Sequence, residues 1–114
     1  MLKDFSEVEL NRLITDNVME NLNLEYKSSD SLSKDDRKKD DISKDVSSFA
    51  NSDGGILIYG IKEFDKKEQR HLPEKIDAIN VSDYSKEWLE SIILQKIKPR
   101  IEGLKIYPII WRKI

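Results

Sequence analysis

Apolar positions recur at two different periods along the chain, and the alternation between those periods predicts the element order. Leu10, Leu13, Ile14 and Val18 fall on one helical face behind Ser6 and Glu9, a capping-box pair, which predicts a first helix over residues 6–18. Leu22, Leu24 and Tyr26 then alternate with Asn23, Glu25 and Lys27, the pattern of a half-buried strand. Residues 28–41 are polar and of mixed charge, and predict a loop mobile at its middle, with Asp40 or Asp41 capping the next helix. In that helix Ile42, Val46, Phe49 and Ala50 form one stripe. Gly54 is placed to close it in the left-handed conformation, and Gly55 lets the chain turn tightly into Ile56-Leu57-Ile58-Tyr59. That run is apolar on both faces, which predicts a central strand covered on each side.

A charged hairpin over residues 60–73, a short strand near residues 76–79 and a third helix follow. Ser82 or Asp83 caps this helix, and Tyr84, Trp88, Leu89, Ile92, Ile93 and Ile97 make its apolar face; the two aromatics read as core. Lys98-Pro99 ends it. Leu104, Ile106 and Ile109–Trp111 predict a last strand at an edge, because Pro108 interrupts it. The whole reads as an α/β fold of the α+β kind: one small domain over residues 1–114, three helices and a mixed sheet of about four strands. So apolar a final segment is expected either to continue into a longer protein with a further C-terminal domain or to pack on a partner or a second copy of the chain.

Composition narrows the chemistry. With 114 residues, 38% hydrophobic and 37% charged, the chain has a small core and a heavily solvated surface. It has no cysteine, which excludes disulfides and thiolate zinc sites, and its single histidine, His71, excludes a histidine-rich metal site. His71 itself reads as a surface residue of the hairpin. No apolar run is long enough to span a membrane, and residues 1–4 lack a signal-peptide pattern, so the expected location is cytoplasmic. Net charge is −2, unevenly spread: residues 1–53 carry −5, residues 54–114 carry +3 and residues 92–114 alone carry +5. A local basic face of this kind can attract a polyanion even on a mildly acidic protein, since electrostatic attraction acts within a Debye length.

Three segments carry a family resemblance: Leu24-Glu25-Tyr26-Lys27-Ser28-Ser29, then Phe49-Ala50-Asn51-Ser52-Asp53-Gly54-Gly55, then Leu57-Ile58-Tyr59-Gly60-Ile61. In this order they resemble the Schlafen AlbA_2 family, which shows Leu-Glu-Phe-Lys, a helix ending Phe-Ala-Asn-(Thr/Ser)-x-Gly-Gly, and a strand ending Gly-Val. Ile97-Lys98-Pro99-Arg100-Ile101 is similar to the family's Ile-x-Pro segment, so the likeness spans about residues 18–108. The resemblance implies a nucleic-acid-binding module, DNA or RNA, of a bacterial regulator or defence protein. For the Schlafen branch it implies instead a metal-dependent endoribonuclease acting on structured RNA such as transfer RNA, with three acids at the site. The matching positions here are Glu20, Glu25 and Glu63; the third is a glutamate where the nuclease branch has aspartate, with Asp65 close by in sequence.

Such a triad suits Mg²⁺ or Mn²⁺, hard ions that take carboxylate oxygens and activate water for phosphoryl chemistry. Lys27, on the face of Glu25, could neutralise the phosphate in the transition state. Phosphate contacts are expected from Lys27, Lys44, Lys62, Lys66 and Lys67, and from Lys96, Lys98 and Arg100 at the other end. Tyr107 and Trp111, beside basic residues, are candidates for stacking on single-stranded bases. Asn51 and Asp53 read as capping and turn residues. Gly54-Gly55 follows a helix and lacks phosphate-loop spacing, so ATP binding has little support in this segment. A third reading, an oligomerisation or interaction domain without ligand, stays open beside these two.

Overall fold

The computed structural model describes residues 6–51 and 54–109. Helix α1 (Glu7–Thr15) starts at the expected cap, with the Ser6 hydroxyl accepting from the Glu9 N–H. It ends three residues before the periodic pattern does. Asn17 takes a φ of 49°, its N–H bonds the Ile14 carbonyl at 3.1 Å, and the Val18 N–H reaches back to the Leu13 carbonyl at 2.9 Å. This double closure folds Val18 back onto the same core as Leu13, so an apolar residue outside the helix keeps helical spacing.

Strand β1 (Leu24–Lys27) pairs in parallel with β2 (Ile56–Tyr59), Leu24 opposite Ile56 and Lys27 opposite Tyr59. Helix α2 (Asp36–Ala50) makes the crossover that parallel pairing requires. It begins well before the predicted start. Asp35, not Asp40 or Asp41, is the cap, accepting from the Arg37 N–H at 2.9 Å. Ahead of it a single 3₁₀ turn (Ser29–Ser31) leads to Leu32, which is buried. Residues 28–41 are therefore mostly ordered structure: a polar helical face leaves no apolar periodicity to read, yet one leucine anchors its approach.

At the other end of α2 the Gly54 N–H bonds the Phe49 carbonyl at 3.1 Å and Gly54 takes a φ of +84°, as expected for a left-handed stop. Gly60, at φ +110°, turns the chain from β2 into β3 (Ile61–Glu63), which pairs antiparallel with β4 (Pro73–Ile76). The strand expected near residues 76–79 thus ends at Ile76, because the Asp77 N–H bonds the Gly60 carbonyl and the Asp77 carboxylate takes the Ser29 N–H. Helix α3 (Lys86–Lys96) is capped by Ser85, not by Ser82 or Asp83, and Tyr84 lies just outside it.

The α+β class stands, with three α-helices and four strands among the described residues, and these four strands divide into two two-stranded sheets. One core cluster joins Leu13, Leu24, Tyr26 and Ile61, with Ile56 and Ile58 packed against it. The other joins Leu32, Ile42, Ile92 and Ile93, with Tyr59, Tyr84 and Trp88 against it. Strand β2 is thus covered on both faces, as its sequence predicts. It is not a central strand: among the described residues its only ladder partner is β1.

The described residues 97–109 form turns and irregular backbone, so the last strand is absent over Leu104 and Ile106. Gly103 turns at φ +77°, and Ile101 and Ile106 pack singly on the α2–α3 core instead of alternating along a ladder. The remainder of that expectation, including Trp111, lies outside the described residues. No helix among the described residues is long and apolar enough to cross a membrane.

Candidate metal centre and groove

The site begins with an unpaired strand edge. In a parallel ladder the N–H and C=O of one residue point to the same side. The Asn23 and Lys27 carbonyls accept from the Ile56 and Gly60 amides, so Tyr26 turns its N–H away from β2. Glu20 fills that vacant position, its Oε2 accepting from the Tyr26 N–H at 2.7 Å. A carboxylate on an otherwise orphaned donor is a strong charge-assisted bond, and it fixes the direction of the second oxygen. That oxygen, Oε1, lies 2.7 Å from the His71 Nδ1.

His71 sits in the β3–β4 hairpin at a φ of 76°, unusual for a residue with a side chain. Its carbonyl accepts from the Glu20 N–H at 2.9 Å, and its own N–H donates to Glu63 Oε2 at 2.8 Å. The hairpin is thereby tied to the segment before β1. Glu63 closes β3 where the register with β4 is irregular, between Lys62 and Glu63, and its Oε2 lies 3.8 Å from the His71 Nδ1. One donor atom from each of Glu20, Glu63 and His71 falls within 4.8 Å of the others. The two carboxylates are largely covered, 13% and 28% exposed, whereas the imidazole is 63% exposed.

The electrostatics follow from this crowding. Burial and the neighbouring Glu20 push the Glu63 carboxyl above its usual value, and the His71 N–H works the other way. The hydrogen bond that the ring donates to Glu20 raises His71, with the charges of Glu20 and Glu63 adding to it against some desolvation. Two carboxylates converge here, and a cation, imidazolium or metal, relieves their repulsion.

The structure brings Glu20 and Glu63 together and adds His71, which the sequence reading treats as a plain surface residue. Its only sequence signal is that it is the one imidazole in the hairpin after Glu63. Glu25 lies elsewhere, on the strand face opposite Tyr26. There Lys27 Nζ sits 3.5 Å from Glu25 and 3.6 Å from Asp45 of α2. Burial opposes the Lys27 charge, but Asp45 and Glu25 outweigh it and hold the ammonium above its ordinary pKa. Asp45 is a second residue the sequence reading missed; its signal is its position beside Val46 on the edge of the buried stripe. Asp65 is 92% exposed and bonds Lys62 at 3.3 Å, outside the Glu20–Glu63–His71 group.

An open groove of about 590 Å³ runs where the two sheets meet, bordered by Lys27 and Ser28 from β1 onward, Lys62 and Glu63 of β3, and Lys75 of β4. Glu63 belongs both to this groove and to the cluster. Three lysines and four acids, Asp30, Glu63, Asp65 and Asp77, border it, and the Lys27 ammonium is held by Glu25 and Asp45 beyond its lining. Lys62 is held by Glu74 at 3.0 Å and by Asp65. The remaining predicted phosphate contacts lie in other parts of the fold. Lys66 and Lys67 are exposed on the hairpin, Lys44 on α2, and Lys98 and Arg100 after α3. Lys96 bridges α3 to Asp40 of α2 at 2.8 Å. Tyr84 and Trp88 meet edge to face in the core, centroids 5.0 Å apart, while Tyr107 is exposed.

A family profile described as Schlafen, AlbA_2 matches residues 20–112, from the first clustered carboxylate to beyond α3. No curated protein and no solved structure matches the chain.

Proposed function

The chain belongs to the Schlafen AlbA_2 family, and from that premise we propose that it is a cytoplasmic nucleic-acid-binding module whose contact surface is the groove between the two sheets. The observation that carries this reading is that Lys27, Lys62 and Lys75, from three different strands, all border one open groove. An open channel of that kind suits a phosphate backbone better than an enclosed small molecule, and lysine ammoniums meet phosphates as point charges. Contacts of this type position a backbone and carry little sequence information.

Binding of a hairpin RNA and of a duplex DNA, followed by anisotropy across a salt series, tests the proposal. Affinity is expected to fall linearly with salt on logarithmic axes, by about 0.7–0.9 in slope per phosphate neutralised. The Lys62→Ala/Lys75→Ala variant is expected to flatten that slope by roughly two contacts. No binding at low salt, or an unchanged slope in the double variant, refutes the groove as the interface.

A second reading is favoured by the meeting of Glu20 and Glu63 in space from positions 43 residues apart in sequence. In it the module is a Mg²⁺- or Mn²⁺-dependent endoribonuclease, with Glu20, Glu25 and Glu63 as the acids and Lys27 at the phosphate. The bound ion would polarise a phosphoryl oxygen and lower the pKa of its water. Glu20 and Glu63 are already converged, whereas Glu25 would have to leave its pairing with Lys27. Cleavage of transfer RNA that EDTA abolishes, and that Glu20→Gln and Glu63→Gln each abolish while binding persists, supports this reading. Cleavage surviving EDTA and both substitutions eliminates it.

A further inference from the structure

We infer that Glu20, Glu63 and His71 form a mixed nitrogen–oxygen site that selects a borderline first-row ion, Zn²⁺ or Co²⁺, over Mg²⁺. The inference rests on the metal-binding reading of this cluster and replaces its third ligand, His71 standing where Glu25 was expected.

The donor set decides the metal class. Mg²⁺ demands near-octahedral oxygen coordination and keeps several waters, whereas imidazole nitrogen suits Zn²⁺, Co²⁺ and their neighbours. Two carboxylates and one imidazole, with the ring 63% open to solvent, match the pattern of three protein ligands that leaves a position free for water or a phosphate oxygen. The spacing is close to what such an ion needs. Bonds of about 2.0–2.2 Å in a tetrahedron place donor atoms roughly 3.4 Å apart. The His71 Nδ1 lies 2.7 Å from Glu20 Oε1 and 3.8 Å from Glu63 Oε2, and the three donors span no more than 4.8 Å. Small side-chain rotations bring all three onto one ion.

The supporting bonds are in place as well. The Tyr26 N–H holds one Glu20 oxygen and aims the other at the imidazole, and the His71 N–H holds Glu63. Outer partners of this kind orient ligands and set their affinity. The ligands come from three separate segments: the stretch before β1, the end of β3 and the hairpin. A bound ion therefore links the hairpin to β1 and stabilises the fold by mass action.

Calorimetric titration of the protein with Zn²⁺, Co²⁺ and Mg²⁺, together with the visible spectrum of the Co²⁺ form, tests the inference. His71→Gly is the variant of choice, since glycine accepts the positive φ at this position and removes only the ring; circular dichroism confirms that it folds. The expected result is tighter binding of Zn²⁺ and Co²⁺ than of Mg²⁺. In His71→Gly, Zn²⁺ and Co²⁺ should weaken by at least about tenfold, the lower end of what losing even an outer-shell partner costs. The Co²⁺ spectrum should shift, and Mg²⁺ binding should change little. If Zn²⁺ binding survives in His71→Gly but is lost in Glu20→Gln, the site is all-oxygen: the inference falls and the metal reading stands. If the wild-type chain binds none of the three ions at millimolar concentration, both fall.

Discussion

A methyl group on Gly55 would lie 2.6 Å from two Phe49 ring carbons and 2.8 Å from the Asn23 carbonyl oxygen, whereas one on Gly54 would meet nothing within 4 Å. The two neighbours are thus glycine for different reasons, close approach at Gly55 and a φ of +84° at Gly54. Gly55→Ala must displace a ring or the β1 entry backbone and is expected to cost about 1–3 kcal/mol. Gly54→Ala incurs only left-handed strain, about 1–2 kcal/mol. Urea unfolding of the two variants tests this; the reverse ordering would mean that the Phe49–Gly55 contact relaxes freely. The need at Gly54 is legible in the sequence, because backbone permissiveness is a property of one residue, whereas the need at Gly55 is set by the Asn23 carbonyl from a distant segment. Nor is His71 legible: its role depends on an N–H, a carbonyl and a ring meeting two glutamates from other segments.

Among the elements, α2 shows how a local pattern can hide a helix. Its first turns, Asp36 to Asp41, contain no apolar residue and face solvent, so hydrophobic periodicity starts only at Ile42. What begins the helix is the Asp35 carboxylate on the Arg37 N–H, and what anchors its approach is Leu32 packed with Ile42, Ile92 and Ile93. Asp35→Ala is expected to cost about 1 kcal/mol as a lost cap. Leu32→Ala should cost about 2–5 kcal/mol as a core truncation. Thermal melts followed by helical ellipticity separate the two. A Leu32→Ala variant as stable as the parent would show that the 3₁₀ turn before α2 is not held by its leucine.

At the scale of the whole molecule, the β1–β2 layer stands between two cores and contributes a tyrosine to each. Tyr26, 1% exposed, packs on the α1 side and donates its hydroxyl to the Val18 carbonyl at 2.6 Å. Burial, with the charge of Glu20 adding to it, raises its pKa from the usual 10.0 to about 12. Tyr59, on the α2–α3 side, is pushed up in the same direction by burial and by Asp45 and Glu25. A folded-state pKa above the unfolded one means that the stability is intact below pH about 10. For Tyr26 it is lost as pH rises through about 12, at up to about 1.4 kcal/mol per pH unit, and Tyr59 adds a loss of the same sign. Unfolding free energies measured from pH 9 to 12 should therefore decline, with a shallower decline in Tyr26→Phe. An equally steep decline in that variant would assign alkaline unfolding to other groups.

What the sequence determined by itself is part of what acts between near neighbours along the chain. This covers the Ser6 cap, the alternation of Leu24 and Tyr26, Ile42 and Val46 on the buried side of α2, the left-handed Gly54 and the apolar run behind it, whereas Ala50 of the expected stripe is exposed. Together with the order of those pieces, that was enough for the α+β class and the family. Only the tertiary structure decided the division of four strands into two sheets, the start of α2, the absence of a strand over Leu104 and Ile106, and the company each candidate acid keeps. Glu20 and Glu25 are five residues apart, yet Glu20 caps a strand edge beside His71 while Glu25 pairs with Lys27. Side-chain partners are set by three-dimensional packing, and the hairpin that carries His71 to Glu20 leaves no periodic trace in the sequence.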